Sequence, residues 1–438
     1  MRVAAGLLVL TALSVALRTG ALDAGYWIDE AIAVGIASHE PGEIPALLRQ
    51  DGSPPLYYLL LHGWMTLVGE SEAATRSLSL LFAALAVPAA WWAAGGRRNG
   101  AVAAAIVAVC PFVGYYAQEA RMYTLVAVLS LVATAAFAQR RQIVLVVALT
   151  LLLYTHTWGV FLVAGLALVW LARRRDRRGA IAFAAVALLY LPWVPSLAFQ
   201  ALHTGAPWSA PPSALYLVPA ALAVAWRPRD ELVLAGAAGF ALAWLASQIE
   251  PAWSARYLAV FLGPVLLVLA RRATWAVALV LAATLLAGAP VAKSNARAVA
   301  ASVAASVRPG DLVVSTQPEQ VPVLHRYLPA GVAYLTPLGE PADPSVTDWR
   351  DALPRLRAAP TLTPAVRRLA AGRRLILVTP VTRRARSPWA RAVRRRTREW
   401  QAALRHEPRL RPIGATSQPD PTRYRSTIRA EIFEVVSP

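Results

Sequence analysis

The amino-acid sequence predicts a polytopic α-helical membrane protein with an α/β domain at its C-terminal end. Of its 438 residues, 57% are hydrophobic and only 16% are charged, and the mean hydropathy is positive. Apolar runs of roughly 15–20 residues recur until Pro290, as expected for helices that cross a bilayer core. The pattern then changes to short strand and helix signals. A soluble fold has too little interior to bury so much apolar surface.

The apolar runs predict about eleven membrane-spanning helices. The first run resembles a secretory signal, but it lacks a clear small-residue cleavage site and many spans follow it. We therefore expect it to remain as the first helix. The predicted spans are residues 3–20, 77–96, 100–116, 120–138, 143–157, 158–172, 180–198, 212–226, 231–248, 257–270 and 274–290.

The segments between the spans alternate in chemistry. One set is basic: Arg97-Arg98, Arg140-Arg141, RRRDRR (173–178), RPRD (227–230) and Arg271-Arg272. The other set is YYAQEARMY (115–123), YTHTWG (154–159), HTGAPWSAPP (203–212) and EPAWSARY (250–257). By the positive-inside rule the basic set is cytoplasmic and the other set is outside. This predicts a multi-pass protein of the bacterial plasma (inner) membrane.

The segment from Pro54 to Gly69 fits this alternation only if it does not span the membrane. It is short, begins with two prolines and contains His62 and Trp64. We expect an external helix in or near the interface, where His, Trp and Tyr are well accommodated. The first external loop then runs from about residue 18 to residue 75.

Two domains follow from this pattern, a transmembrane domain (1–292) and a soluble extracytoplasmic α/β domain (294–438). In the second domain GDLVVST (310–316) and RRLILVTP (373–380) indicate buried strands, and STIRAEIFEVV (426–436) indicates an alternating strand. DWRDALPRL (348–356) indicates a helix. The basic composition of this domain suggests contact with anionic lipid headgroups or cell-wall polymer.

Charge and cysteine content exclude several classes of function. The formal net charge of +20 comes almost wholly from arginine. Many of these arginines lie in loops between spans, so membrane topology explains them better than nucleic-acid binding does. The single cysteine, Cys110, excludes a disulfide framework and a cysteine-based metal site.

The few polar residues of the transmembrane domain gather on the predicted external side. Ionisable residues at one membrane surface form either a solvated rim or a site. Aromatic faces suit sugars and polyprenyl groups, and cations hold phosphate. The candidate residues are Asp29, Glu30, Asp51, His62, Glu119, Arg121, Tyr123, His156, Arg256 and Tyr257.

Three motifs in this set carry a resemblance to a known family. They are WIDE (27–30), DGSPPLYYLLLHGW with GESEAATRSLSLLF (51–64 and 69–82), and YYAQEARMYTL (115–125). In this order they resemble the GT-C membrane glycosyltransferases, in particular the family 39-like group of protein O-mannosyltransferases and aminoarabinose and Rgt-like lipid glycosyltransferases. The resemblance covers residues 26–159.

The resemblance implies a hexosyl- or pentosyltransferase that uses a polyprenyl-phosphate-linked sugar on the extracytoplasmic face. Such enzymes invert the anomeric carbon, and an acid of the first external loop activates the acceptor. Asp29 matches that acid and Glu30 completes the pair. Glu119 matches a second acid that binds metal in related oligosaccharyltransferases. A divalent cation (Mg²⁺ or Mn²⁺) held by Glu119 with Asp29 therefore stays open, as does a lipid, glycan or protein acceptor.

Each acidic candidate also has a purely structural interpretation. Asp29 could be the base that takes the acceptor proton or the N-cap of a helix that starts near Glu30. Glu30 could assist catalysis or stabilise the helix dipole. Asp51 could orient substrate, or QDGSPP could be a plain turn.

The basic and aromatic candidates have the same ambiguity. Arg121 and Arg256 have the planar fork that suits a donor phosphate, and Tyr123, Tyr257 and His156 could line the same site. Arg121 could instead form an ion pair with Glu119, and Arg256 could snorkel to the interface. His62 could contact substrate or simply pack in an interfacial helix.

Two other functions compete with glycosyl transfer. A transporter or flippase for lipid-linked sugars usually places polar groups near the membrane midplane on broken helices, often in two related halves. Here the spans are nearly uncharged and we find no repeat. A membrane-anchored receptor would leave the WIDE and QEAR motifs unexplained.

Overall fold

The computed structural model describes residues 2–437 except 273, 274, 276, 278, 281, 282, 284–291, 360, 382–386 and 417–422. The chain divides into two compact units. We call them the helical unit (residues 1–23, 53–199 and 211–290) and the α/β unit (residues 24–52, 200–210 and 291–438).

Helices account for most of the regular structure. In chain order they are α1 (Arg2–Ala16), α2 (Ile28–Ala37), α3 (Ile44–Asp51), α4 (Leu56–Val68), α5 (Glu72–Ala93), α6 (Arg97–Ala108), α7 (Pro111–Tyr116), α8 (Tyr123–Ala138), α9 (Gln142–Thr155), α10 (Gly159–Arg173), α11 (Arg177–Tyr190), α12 (Val194–His203), α13 (Val218–Trp226), α14 (Glu231–Ile249), α15 (Leu262–Arg272), α16 (Ala296–Ala304), α17 (Val321–Tyr327), α18 (Ala352–Arg357), α19 (Thr363–Arg368) and α20 (Pro388–Arg405). Short 3₁₀ segments are Leu191–Trp193, Ala214–Leu217, Ala255–Phe261 and Pro318–Gln320.

Helix α8 is the core of the helical unit. It packs against α5, α9 and α15, and thirteen of its sixteen residues are buried. A helix that is hydrophobic on every side is expected in such an interior position. Its N-terminal end begins at Tyr123, so the core helix fixes the position of Tyr123 and of the QEAR motif before it.

Helices α10 and α14 pack closely through two glycines. A β-carbon on Gly165 would collide with the carbonyl oxygen of Ala235, and one on Gly239 would collide with that of Phe161. Small residues let helix backbones approach in this way. Because Trp158 directly precedes α10 and Trp253 follows α14, this packing also brings the two connections together.

The helical character predicted from the apolar runs is confirmed. Among the described residues three helical stretches are long and apolar enough to cross a membrane: Glu72–Ala93, Arg177–His203 and Glu231–Ile249. Shorter apolar helices cover most of the other predicted spans, and the total of eleven stays a prediction. The predicted span 100–116 is two helices, because Pro111 has no N–H for a continuous helical ladder. Most of the predicted span 274–290 lies outside the described residues.

The α/β unit contains a five-stranded sheet of order β2-β1-β3-β5-β4. Its strands are β1 (Leu312–Ser315), β2 (Ala333–Leu335), β3 (Arg374–Pro380), β4 (Leu410–Ala415) and β5 (Ile428–Val435). Strand β1 is parallel to β2 and β3, whereas β5 is antiparallel to β3 and β4. The predicted strands correspond to β1, β3 and β5. The predicted helix at 348–356 begins only at Ala352, because Asp351 has a left-handed backbone with φ of 48°.

The α/β unit is larger than the predicted domain 294–438. Gln200 donates a hydrogen bond from Nε2 to the carbonyl of Leu48 (2.9 Å), and the N–H of Trp349 donates to the carbonyl of Gln50 (3.0 Å). These bonds join residues that are 150 to 300 positions apart, so no local pattern reveals them. The segment that carries Asp29 is grouped with the α/β unit in this division, and the domain boundaries at 292 and 294 stay a prediction.

Candidate functional site

Eight side chains of the helical unit form a cluster that we call the arginine–aromatic cluster. Two helices and two connecting segments supply it: α4, the start of α8 with the turn before it, the α9–α10 connection and the segment after α14. Its members are Tyr58, Arg121, Tyr123, His156, Trp158, Trp253, Arg256 and Tyr257. Five of the eight come from the residues predicted as candidates.

Arg121 is held at the entrance to the core helix. Its Nη1 donates a hydrogen bond to the hydroxyl of Tyr58 (3.2 Å), and its guanidinium lies 6.0 Å from the ring centre of Tyr123. Its backbone carbonyl accepts from the hydroxyl of Ser79 (3.0 Å). The side chain of Tyr58 is fully buried, and that of Arg121 nearly so. Because a guanidinium stays charged at any relevant pH, this arrangement places a positive charge in a low-dielectric interior.

His156 follows the end of α9 and links the two arginines of the cluster. Its ring lies 5.9 Å from Tyr123 and 4.8 Å from Tyr257, and Arg256 lies 5.5 Å from the ring centre of Tyr257. Burial, together with the charges of Arg121 and Arg256, lowers the pKa of His156 to about 3. The imidazole is therefore neutral near pH 7, and the positive potential at this position comes from the arginines.

Contacting aromatic rings join an apolar groove of the helical unit to the cluster. It has a volume of about 470 Å³ and is lined by apolar residues of α13, α14, α15 and the 3₁₀ segment Ala255–Phe261. Tyr216 and Phe240 of the groove contact Trp253 at ring distances of 5.1 and 5.5 Å. Trp253 in turn contacts Trp158 (5.4 Å), and Trp158 contacts Tyr257 (5.2 Å). Aromatic rings thus connect an apolar groove to two cations, an arrangement that suits a lipid chain with an anionic head.

The acidic pair lies in the first turn of α2, in the α/β unit. The helix begins at Ile28 and its N-cap is Trp27, which makes no side-chain capping bond. The N-cap interpretation of Asp29 is therefore wrong, because the helix starts two residues earlier than the apolar pattern suggests. Both acids lie where the helix dipole stabilises negative charge. Glu30 is fully buried and Asp29 is half-buried, so Asp29 is the more accessible carboxylate.

The remaining candidates are spread over both units. Asp51 is the last residue of α3 and precedes Gly52, whose φ of 98° is typical of a helix end. His62 is half-buried on α4, about one turn after Tyr58. Glu119 is fully buried in the turn before α8. No three His, Cys, Asp or Glu side chains come together as metal ligands among the described residues, so we assign no step to a metal.

Sequence reasoning did not single out several residues that the structure places in or near these sites. Tyr58, Trp158 and Trp253 stand in the sequence motifs only as aromatic neighbours of other candidates. Glu319 of the α/β unit follows β1, and its Oε1 accepts hydrogen bonds from Gln317 Nε2 (2.8 Å) and Trp389 Nε1 (2.9 Å). Burial raises the pKa of Glu319, and the charge of Asp29 adds to this effect. The only sequence signal for Glu319 was an acid just after a buried strand.

Comparison with solved structures shows a GT-C-like fold, so the resemblance read from the motifs is confirmed at the level of the fold. The crystal structure of ArnT from Cupriavidus metallidurans in the apo state matches the whole of both chains, with a TM-score of 0.65 and 13% identity. The structure of that ArnT bound to undecaprenyl phosphate matches 98% of this chain and 99% of the other, with a TM-score of 0.61 and 13% identity.

A third structure is more distant. The mycobacterial arabinofuranosyltransferase AftD matches 99% of this chain and 41% of its own, with 16% identity and a TM-score of 0.41. No protein-family model and no curated protein match the sequence.

Proposed function

We propose that this chain is an inverting glycosyltransferase that moves a sugar from a polyprenyl-phosphate donor to an acceptor hydroxyl. The reaction takes place on the extracytoplasmic face of the bacterial inner membrane, in cell-envelope biosynthesis. One observation carries the proposal: contacting aromatic rings join the apolar groove of the helical unit to the cluster that contains Arg121 and Arg256. A polyprenyl phosphate has the matching chemistry, a long apolar chain that ends in an anion.

The arginines hold the leaving group in this mechanism. As the bond between the anomeric carbon and the phosphate oxygen breaks, negative charge grows on the polyprenyl phosphate. Arg121 and Arg256 stabilise that charge, and the neutral His156 neither competes with them for the anion nor adds a further charge. That ArnT has been solved with undecaprenyl phosphate bound supports this class of donor for a chain of the same fold.

Asp29 is the base in this mechanism. It takes the proton of the acceptor hydroxyl while that oxygen attacks the anomeric carbon from the face opposite the phosphate. Its half-buried position in the first turn of α2 supports this role, whereas the fully buried Glu30 is better suited to supporting the helix. Whether the sugar is a hexose or a pentose is left open by this chemistry.

Donor cleavage is the direct test. Purified full-length protein is incubated with a polyprenyl-phosphate sugar, and the release of polyprenyl phosphate is measured with and without envelope extract as a source of acceptor. Glycosyl transfer predicts release that depends on the acceptor. Movement of intact donor across a vesicle membrane without any cleavage would instead establish the transporter or flippase alternative.

A further inference from the structure

A second cleft lies wholly within the α/β unit, and the mechanism above does not use it. It has a volume of about 300 Å³, which is at the lower end of the range for ligand sites. One wall is a face of α2 that includes Ala31, and the other is α17 with Ser345. Asp29 and Ala31 are about 200° apart around the helix, so the cleft opens on a different side of α2 from the proposed base.

The wall of this cleft is built with close contacts. Gly35 lies so near the carbonyl of Ser345 that a β-carbon would collide with it. Asp343 accepts hydrogen bonds from the N–H (2.8 Å) and the hydroxyl (2.6 Å) of Ser345, and its other oxygen is 2.7 Å from Nε2 of His39. These contacts hold the loop against α2, so the cleft is formed before any ligand arrives.

The lining chemistry selects for an anion that also carries hydroxyl groups. His325 and Arg326 lie on one wall, and none of the described lining residues is acidic. The guanidinium of Arg326 is 6.0 Å from the ring centre of Tyr26. Ser38 and Ser345 supply hydroxyls, and small apolar side chains supply surface for the C–H face of a sugar ring.

We propose that this cleft binds an anionic saccharide, a single sugar unit that carries a phosphate or a carboxylate. The claim that this saccharide is part of the acceptor rests on the function proposed above. The claim that it binds in this cleft does not. The arginine would pair with the anionic substituent in a charge-assisted hydrogen bond. The hydroxyls of Ser38 and Ser345 donate to Gly35 O and Asp343 Oδ1, so their oxygens would accept hydrogen bonds from the ring hydroxyls.

Calorimetric titration of the full-length protein in detergent tests this proposal. The probes are glucosamine 1-phosphate and glucuronic acid, with glucose as the neutral match and inorganic phosphate as the anion alone. We expect both anionic sugars to bind at least about tenfold more tightly than glucose and than phosphate. Glucose lacks the anionic group that pairs with the arginine, and phosphate lacks the sugar ring. Equal affinity for glucose, or for phosphate alone, would overturn the assignment to an anionic saccharide.

Two variants locate the site. Arg326→Ala should weaken binding of both anionic sugars about tenfold or more, whereas Arg368→Ala should not. Arg368 is a matched control because it is exposed, lies in the same unit and does not line the cleft. Ser38→Trp fills the cleft from an exposed position without removing a charge and should also abolish binding. If binding survives both Arg326→Ala and Ser38→Trp, the cleft is not the site.

The two proposals fail separately. If the protein binds anionic sugars but cleaves no polyprenyl-phosphate donor, the glycosyltransferase proposal fails and the cleft stands. If it cleaves donor but shows no anionic-sugar binding, only the cleft proposal fails.

Discussion

Two arginines of the helical unit and two acids of the α/β unit illustrate different ways of satisfying polar groups. In the helical unit Arg18 donates to the carbonyls of Val107 (2.7 Å) and Ala108 (3.0 Å), and Arg76 donates to that of Leu22 (2.7 Å). In the α/β unit Asp311 accepts from the backbone N–H groups of Arg308 (2.8 Å) and Arg374 (2.9 Å).

Asp348 of the α/β unit pairs with the guanidinium groups of Arg350 (2.8 Å) and Arg355 (3.1 Å). A carbonyl satisfies a guanidinium hydrogen bond without cancelling its charge, whereas a carboxylate does both. Arg18 and Arg76 of the helical unit follow the first pattern, whereas Arg174 of the same unit pairs with Glu231 and follows the second. The α/β unit uses its acids to hold its own chain.

Substitution of Asp29 in the α/β unit is expected to have the largest effect on glycosyl transfer. Asp29→Asn keeps the shape of the side chain and removes its basicity, so we expect transfer to fall by about 10²- to 10⁴-fold. Turnover of donor and acceptor by purified protein measures this, with Glu30→Gln as the neighbouring comparison. Unaltered turnover by Asp29→Asn would remove Asp29 from the role, and a larger loss in Glu30→Gln would move the role to Glu30.

Substitution of Arg121 or Arg256 in the helical unit is expected to have the next largest effect on glycosyl transfer. Arg121→Ala or Arg256→Ala should lower kcat/KM for the donor by about 10- to 100-fold, because each removes a charge-assisted contact with phosphate. Arg98→Ala is the matched control, since Arg98 is exposed and outside the cluster. A loss in Arg98→Ala as large as in Arg121→Ala would show that overall charge, and not the cluster, attracts the donor.

The apolar groove predicts that KM for the donor depends on the length of its polyprenyl chain. Ala223 lines the groove, so Ala223→Trp should raise KM about tenfold for a long polyprenyl donor and less for a short one, because part of the apolar burial is lost. Ala225→Trp places the same bulk at an exposed position outside the groove and should change neither KM. An equal rise for short and long donors would contradict the assignment of the groove.

His156 of the helical unit should make stability sensitive to acid. Its pKa is about 3 in the folded chain, against an ordinary value of 6.5 that applies when the chain is unfolded. Between these values only the unfolded chain binds the proton, so stability falls as the pH drops below about 6.5. The substitution His156→Gln removes this group, so it should restore up to about 1.4 kcal/mol of the free energy of unfolding at pH 5.5. Thermal unfolding in detergent at pH 7.5 and 5.5 checks this, and an unchanged pH response would contradict it.

Glu319 of the α/β unit should have the smallest effect on stability. The pH dependence of this effect should be opposite in sign to that of His156. Its raised pKa means that the folded chain holds the proton more tightly, so this group favours folding as the pH falls towards 4.5 and opposes it above. Glu319→Gln keeps an oxygen to accept from Trp389 Nε1 and should stabilise the chain by less than about 1 kcal/mol at pH 7. A clear loss of stability at pH 7 would show that the ionised carboxylate is needed.

Much of the site could be named from the sequence, but its arrangement could not. Tyr123, His156 and Tyr257 stood out because they lie in the predicted external segments, where the few polar residues of the transmembrane domain gather. Tyr58 could not be separated from its aromatic neighbours, because its importance comes from a hydrogen bond to a residue 63 positions away. Glu319 was missed for the same reason, since Trp389 lies 70 positions further along the chain.

The helical membrane character, strands β1, β3 and β5 and the residue types of the candidate site could be predicted from the sequence. These features follow from local periodicity and composition, which act within a few residues of the chain. Long-range folding places the segment with Asp29 in the α/β unit and brings together the aromatic rings that connect the apolar groove to two arginines. Both depend on contacts between residues far apart in sequence, and a local pattern carries no information about such partners.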